Sequence, residues 1–104
     1  MARCPVRLLE DVADVIADLR TWDGIVEKKP AVLYLRRQPF LHFHLTKDAR
    51  RRADIKSGTG WVQVELPRPL SATRRRAFVR ELRRRYGEKT ETGWGKARAG
   101  GRSG

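Results

Sequence analysis

The chain has 104 residues, the size of one small domain, of which 39% are hydrophobic and 35% are charged. Lysine and arginine number 24 against 12 acidic residues, and the resulting net charge of +12 favours a polyanion as partner. The single cysteine, Cys4, excludes an internal disulfide and a CxxC zinc site, and no apolar run approaches the roughly 20 residues that span a bilayer. We therefore expect a cytoplasmic protein without a membrane partner.

The first predicted element is an amphipathic helix over residues 8–22. Apolar residues recur there at spacings of three and four, which places them on one face of a helix. Acidic residues lie mainly in the first turns, where the helix dipole favours them, and Gly24 follows the end of the pattern. Residues 1–7 are expected to be a short lead-in to the domain.

Four or five β-strands are expected to follow. The β-rich runs are short and are separated by turn residues, which predicts antiparallel hairpins over residues 25–29, 31–36, 40–45, 53–56 and 61–66. The intervening loop 46–52 is basic and is expected to add non-specific affinity for polyanions. Alternation along the strands predicts a core face made of Leu33, Leu35, Leu41, Phe43, Leu45, Ala53, Ile55, Val62, Val64 and Leu66.

The stretch from Pro39 to Leu45 is central to the functional hypotheses because it contains both histidines of the chain. Its alternation places the two histidines on the face opposite the core. This second face combines aromatic and basic residues, which is unusual for a surface whose only role is contact with solvent. Its predicted members are Tyr34, Arg36, Phe40, His42, His44, Asp54, Lys56, Trp61, Gln63 and Glu65.

A second helix is predicted over residues 72–86, after the N-cap residue Ser71. Seven arginines and one acidic residue lie within 74–85, and guanidinium groups bind phosphates bidentately. The expected phosphate contacts are Arg74, Arg76, Arg80, Arg83 and Arg84. Residues 88–104 are rich in glycine and basic residues, which predicts a disordered tail.

The order of these elements predicts a single α+β domain over residues 8–87. The expected architecture is a two-layer sandwich, in which the N-terminal and C-terminal helices cover one face of a four- to five-stranded antiparallel sheet. Residues 1–27 carry a net charge of −3 and residues 71–104 a net charge of +8, so we also expect a polarised electric field.

The favoured functional hypothesis is a non-enzymatic module that binds nucleic acid or another polyanion with little sequence specificity and without a cofactor. The arginines of the second helix would contact phosphates, and the open face of the sheet would stack unpaired bases. The residues expected to form this second surface are Tyr34, Arg36, Phe40 and Trp61.

Two alternatives use the same open face. His42 and His44 have the spacing of a weak metal-binding motif for zinc, iron or copper, and Asp54 or Glu65 would supply a third ligand. The same imidazoles are suited to acid–base chemistry on a phosphodiester, which would make the protein a small enzyme. A third hypothesis is a homodimer that assembles through the exposed aromatic residues.

Several segments resemble a family of small bacterial proteins of uncharacterised function. The resemblance covers roughly residues 8–87 and is carried by Phe-Leu-His-Phe-His at 40–44, Arg-Arg-Ala-Asp-Ile-Lys at 51–56 and Phe-Val-Arg-Glu-Leu-Arg-Arg-Arg-Tyr at 78–86. It implies a bacterial cytosolic single domain and no particular activity. In layout the chain is also similar to the MmcQ/YjbR-like proteins, a family of small α+β domains, which implies an α+β fold and no site residues.

Overall fold

The computed structural model describes residues 2–90, which form six strands, a 3-10 helix and two α-helices. In chain order these are β1 (Ala2–Arg3), the 3-10 helix (Val6–Val12), α1 (Ala13–Leu19), β2 (Ile25–Lys29), β3 (Val32–Leu35), β4 (Gln38–Leu45), β5 (Arg51–Ser57), β6 (Gly60–Glu65) and α2 (Ala72–Thr90). This confirms the α+β class, the antiparallel sheet and the N-terminal and C-terminal helices. None of the helices within residues 2–90 has the length and apolarity required to cross a membrane.

The helices differ from their predicted bounds at three ends. The first begins as a 3-10 helix, a geometry common at the ends of α-helices, and only seven residues continue it as an α-helix, which ends at Leu19. The second helix continues through Gly87 to Thr90, whose hydroxyl donates to the carbonyl oxygen of Tyr86 at 3.0 Å. The predicted disordered tail is therefore wrong for residues 88–90, and its remainder, 91–104, lies outside the described residues.

The sheet has the strand order β2-β3-β4-β5-β6, and every neighbouring pair is antiparallel. The strand β1 was not expected, because its two residues belong to the predicted lead-in. It pairs with the end of β4, where Ala2 lies opposite Leu45 and Arg3 opposite His44. The backbone N–H of Cys4 then donates to the carbonyl oxygen of Phe43 at 3.2 Å, which extends this pairing.

One cluster of buried side chains joins the helices to the predicted core face of the sheet. The first helical segment contributes Leu9, Val12, Val15, Ile16 and Leu19, and α2 contributes Phe78 and Leu82. Seven of the predicted strand residues are buried, which confirms Leu33, Leu35, Leu41, Phe43, Ala53, Ile55 and Leu66. The other three, Leu45, Val62 and Val64, are half-buried.

The prediction that Phe40 lies on the open face is wrong. Leu33 pairs with Leu41 and Tyr34 pairs with Pro39, so Phe40 is an extra residue in β4, a β-bulge. The bulge breaks the alternation and turns Phe40 inward, where it is fully buried with its ring centroid 6.4 Å from that of Tyr86. Phe40 is therefore a core residue and offers no surface for stacking bases.

Arg51 is a second exception to the sequence predictions, which placed it in a basic loop. It lies in β5 with 1% of its side chain exposed, and its guanidinium donates to both carboxylate oxygens of Asp11 at 2.6 and 2.9 Å. Further hydrogen bonds reach the carbonyl oxygens of Leu8, Leu66 and Pro67. Arg51 therefore connects the 3-10 helix, the sheet and the segment before α2, and it is unavailable to a polyanion.

Candidate functional site

The exposed side of α2 carries four of the five arginines that the sequence predicts as phosphate contacts. Arg76, Arg80 and Arg83 follow one another at i, i+4 and i+7, which places them along one side of the helix, and Arg84 lies beside them. All four are exposed, whereas Phe78 and Leu82 point into the core. We call Arg76, Arg80, Arg83 and Arg84 the arginine strip.

The fifth predicted arginine, Arg74, lies apart from this strip. It lines a separate cleft between the β5–β6 ends and the start of α2, together with Arg50 and Arg68. Its backbone N–H donates to the hydroxyl of the N-cap residue Ser71 at 3.1 Å, which places Arg74 in the first turn of α2. The structure therefore separates Arg74 from the other four predicted phosphate contacts.

The members of the strip differ in their partners. The guanidinium of Arg83 lies 3.7 Å from the carboxylate of Asp18 and 4.7 Å from the ring centroid of Trp22, and Arg84 lies 3.9 Å from Glu88. Arg76 and Arg80 have no carboxylate partner within residues 2–90. The acidic first helix thus lies beside the basic second helix, and it neutralises part of the field that the sequence predicts to be polarised.

Two arginines of α2 that the sequence did not single out as contacts have structural partners. Arg75 donates to the carboxylate of Asp14 and to the backbone carbonyl oxygen of Asp11, both at 2.6 Å. Arg85 donates to Glu81 at 2.6 Å and to the hydroxyl of Ser57 at 3.0 Å. The contacts of Arg75 and the bond from Arg85 to Ser57 connect α2 to the rest of the domain, so the high arginine content of this helix is partly structural.

The aromatic and basic residues predicted to stack bases are not brought together. Tyr34 lies on β3 and Trp61 on β6, three strand spacings or about 14 Å apart. Each ring makes a cation–π contact with a lysine. Lys28 Nζ lies 5.4 Å from the Tyr34 ring centroid, and Lys56 Nζ lies 4.9 Å from the Trp61 ring centroid. Arg36 lies in the β3–β4 turn, 3.7 Å from Asp23.

The two histidines and Asp54, in contrast, do form a compact group, which we call the histidine cluster. His42 and His44 leave β4 on the same face, and Asp54 of β5 is the direct cross-strand partner of His42. His44 Nε2 lies 2.8 Å from Asp54 Oδ2, and His42 Nε2 lies 4.0 Å from the same oxygen. The edge of the Trp61 ring system packs against His42, with centroids 4.7 Å apart.

Glu65, the other acidic residue predicted as a third ligand, is outside the cluster. It pairs across the strands with Arg52, and its carboxylate lies 3.5 Å from Arg50 Nη1. The alternation of β4 was sufficient to predict that the histidines share a face. The choice between Asp54 and Glu65 depends on the register between β4 and β5, which the sequence did not determine.

The arginine strip and the histidine cluster lie on different sides of the domain. Phe78 of α2 contacts Phe43, with ring centroids 6.3 Å apart, and Phe43 leaves β4 on the face opposite to His42 and His44. No protein-family model, curated protein or solved structure matches this chain. The arginine strip and the histidine cluster are therefore the two candidate sites of this chain, while the phosphodiesterase and homodimer hypotheses stay predictions.

Proposed function

We propose that the protein binds nucleic acid through the phosphate backbone, with little sequence specificity, and that the arginine strip of α2 is the contact surface. The observation that carries this proposal is the state of Arg76 and Arg80. Both side chains are exposed, they lie one helical turn apart, and neither has a carboxylate partner within residues 2–90. Guanidinium groups in this state are suited to bidentate contacts with phosphate oxygens.

The ion pairs of the other two arginines do not compete strongly with phosphate. The side chains of Arg83 and Arg84 are 62% and 64% exposed, and their nearest carboxylates lie 3.7 and 3.9 Å away. Exposed ion pairs of this kind contribute little to stability and are screened by salt. A phosphodiester can therefore replace Asp18 or Glu88 as the partner at small cost.

The length of the strip sets the expected size of the contact. From Arg76 to Arg84 the helix rises by about 12 Å, which corresponds to roughly three to four nucleotides of one strand. Neutralising about three phosphates of B-form DNA gives a slope of roughly −3 for the logarithm of affinity against the logarithm of salt concentration. Because the strip contains no aromatic side chain and its expected contacts are to phosphates, we expect similar affinity for unrelated sequences of one nucleic-acid type.

The test is fluorescence anisotropy of labelled single-stranded DNA, double-stranded DNA and RNA, each titrated with the full chain at two salt concentrations. The variant Arg76→Gln/Arg80→Gln should bind at least about 10-fold more weakly at low salt and show a shallower salt dependence. The matched control is Arg7→Gln/Lys29→Gln, which removes the same charge from two exposed residues outside α2 and outside the basic loop 46–52.

The affinity of the control should fall by less than about 3-fold, because salt screens the attraction between the nucleic acid and charges that do not contact it. Equal losses in the two variants would show that binding depends on net charge and not on the strip. Absence of binding to every probe at low salt would refute the proposed function.

A further inference from the structure

The carboxylate of the histidine cluster has one acceptor that is unsatisfied. Asp54 is only 7% exposed, and its Oδ1 is buried without a hydrogen-bond partner among the described residues 2–90. A buried carboxylate oxygen in this state carries an uncompensated desolvation cost, and such groups in native structures commonly mark a bound ion or water. The only contact of this carboxylate at hydrogen-bond distance among the described residues is His44 Nε2, at 2.8 Å from the other oxygen.

The distances in the cluster are close to those of a metal site. One ligand atom from each of His42, His44 and Asp54 lies within 4.8 Å of the other two. In a tetrahedral zinc site, with bonds of about 2.0–2.2 Å, the ligand atoms are roughly 3.3 Å apart. The separations of 2.8 and 4.0 Å to Asp54 Oδ2 lie on either side of that value, and no pair of ligand atoms is more than 4.8 Å apart, so side-chain rotations that move these atoms by about 1–1.5 Å are sufficient.

The backbone holds these ligands in place. His42 and His44 are two residues apart on β4, and the cross-strand pairing of His42 with Asp54 fixes the third ligand on a central strand of the sheet. The two imidazole rings contact each other, with centroids 4.5 Å apart, and Trp61 packs against the ring of His42. The side chains of His42 and His44 are 26% and 20% exposed, which leaves access from solvent.

We propose that His42, His44 and Asp54 bind one divalent transition-metal ion of the zinc class. Two imidazoles and one carboxylate form a donor set that suits zinc and iron better than calcium or magnesium. Three protein ligands leave at least one coordination position open, as in zinc sites that bind a water molecule or an exogenous ligand. Arg52 lies opposite His44 on the neighbouring strand, and its positive charge favours an anion at the open position.

This proposal is independent of the arginine strip, because the two groups lie on different sides of the domain. The experiment uses the full chain without a histidine tag and titrates it with Zn²⁺ and with Co²⁺ by calorimetry and absorbance. We expect one ion per chain, and a visible Co²⁺ spectrum typical of four or five ligands. The variants His42→Ala, His44→Ala and Asp54→Asn should each bind more than about 100-fold more weakly, since loss of an outer-shell partner alone costs about 10- to 100-fold.

Two control variants separate the cluster from other donors. Glu65→Gln removes an exposed carboxylate from β6, and Cys4→Ser removes the thiol of the only cysteine. Both should bind the metal as the unmodified chain does. Equal affinity in the unmodified chain and in the His42→Ala and His44→Ala variants would overturn the proposal, as would the absence of stoichiometric binding.

A second measurement needs no substitution and remains decisive if a variant fails to fold. The chain has only two histidines, so its imidazole ¹⁵N spectrum contains the signals of His42 and His44 alone. One equivalent of Zn²⁺ should shift the ring nitrogens of both residues together. Signals that stay in place, or a shift of one histidine without the other, would overturn the site.

Discussion

Asp11 and Asp54 are two shielded carboxylates of this small domain, and their surroundings differ. Asp11 accepts two hydrogen bonds from Arg51 and a third from the backbone N–H of Leu70 at 2.8 Å, and the Arg51 bonds help to hold its pKa at about 2. His44 contacts one oxygen of Asp54, while the other oxygen has no hydrogen-bond partner in the described part of the chain.

The difference separates a carboxylate used for folding from one with unused binding capacity. Asp11 and Arg51 form a two-bond ion pair, and together they connect three segments that are far apart in the sequence. Two half-buried imidazoles approach one oxygen of Asp54 on a face reached by solvent, and its other oxygen is an acceptor that no group of residues 2–90 satisfies. Removing the partner should therefore damage the fold at Asp11, whereas adding a partner should stabilise it at Asp54.

The largest expected effect follows from Arg51→Ala. This change leaves the Asp11 carboxylate with only the Leu70 N–H as donor and removes the Arg51 hydrogen bonds to three backbone carbonyl oxygens, in surroundings where the arginine is almost fully buried. Breaking a buried ion pair by removing one partner costs about 3–5 kcal/mol of unfolding free energy. Urea unfolding followed by circular dichroism measures this loss.

The matched control is Arg52→Ala, one residue along the same strand. Arg52 is half-buried and makes a long hydrogen bond of 3.4 Å to Gln63. We expect a loss below about 1 kcal/mol. Similar losses for the two variants would show that Arg51 and Asp11 have no special structural role, and the contrast with Asp54 would then fail.

An intermediate effect is expected when zinc is added. A ligand that binds only the folded state at 100 times its dissociation constant stabilises that state by about 2.7 kcal/mol. The unmodified chain should gain this stability, measured as an increase in thermal midpoint over a sample in chelator. Asp54→Asn should gain none, and in chelator it should differ from the unmodified chain by about 1 kcal/mol or less, because one oxygen already lacks a partner. Destabilisation by several kcal/mol in chelator would place Asp54 with Asp11 as a structural carboxylate.

The smallest effect is the contribution of Asp11 to acid stability. Its pKa is lowered from 3.8 to about 2, with the Arg51 hydrogen bonds as the largest cause. A lowered pKa stabilises the folded state above the unfolded value, so this contribution is complete above pH 4 and is lost as the pH falls towards 2. After allowance for solvent screening, we expect about 1–2 kcal/mol.

Unfolding in urea at several pH values between 2 and 5 tests this contribution. Asp11→Asn should be less stable than the unmodified chain at pH 5, and its stability should fall less between pH 4 and pH 2. The same fall in both proteins would mean that the acid sensitivity arises at other carboxylates.

The features that depend on local patterns were predictable from the sequence. Alternation identified the strands and most of the core face, spacings of three and four identified the helices, and the two histidines were correctly placed on a shared face. The N-cap role of Ser71 is confirmed by the hydrogen bond that it accepts from the backbone N–H of Arg74. Each of these features is set within a few residues of chain.

The features that were missed depend on residues distant in sequence. The bulge at Phe40 is defined only by the pairing of β3 with β4, so alternation alone placed its ring on the wrong face. Arg51 looked like part of a basic loop, because its partner Asp11 lies 40 residues earlier in the chain. A buried arginine and an exposed one have the same sequence signature when the partner is distant.

The bulge in β4 also divides this strand into two parts, in which the alternation of inward and outward side chains differs by one residue. The pairing with β5 begins at Leu41, after the extra residue, so Phe40 fills the core without changing the phase of the histidines. A change of chain length by one residue before Leu41 would alter the hairpin tip and leave His42 opposite Asp54. The same change between Leu41 and His44 would exchange inward and outward side chains, so tolerance to insertion and deletion should change abruptly at this point of the strand.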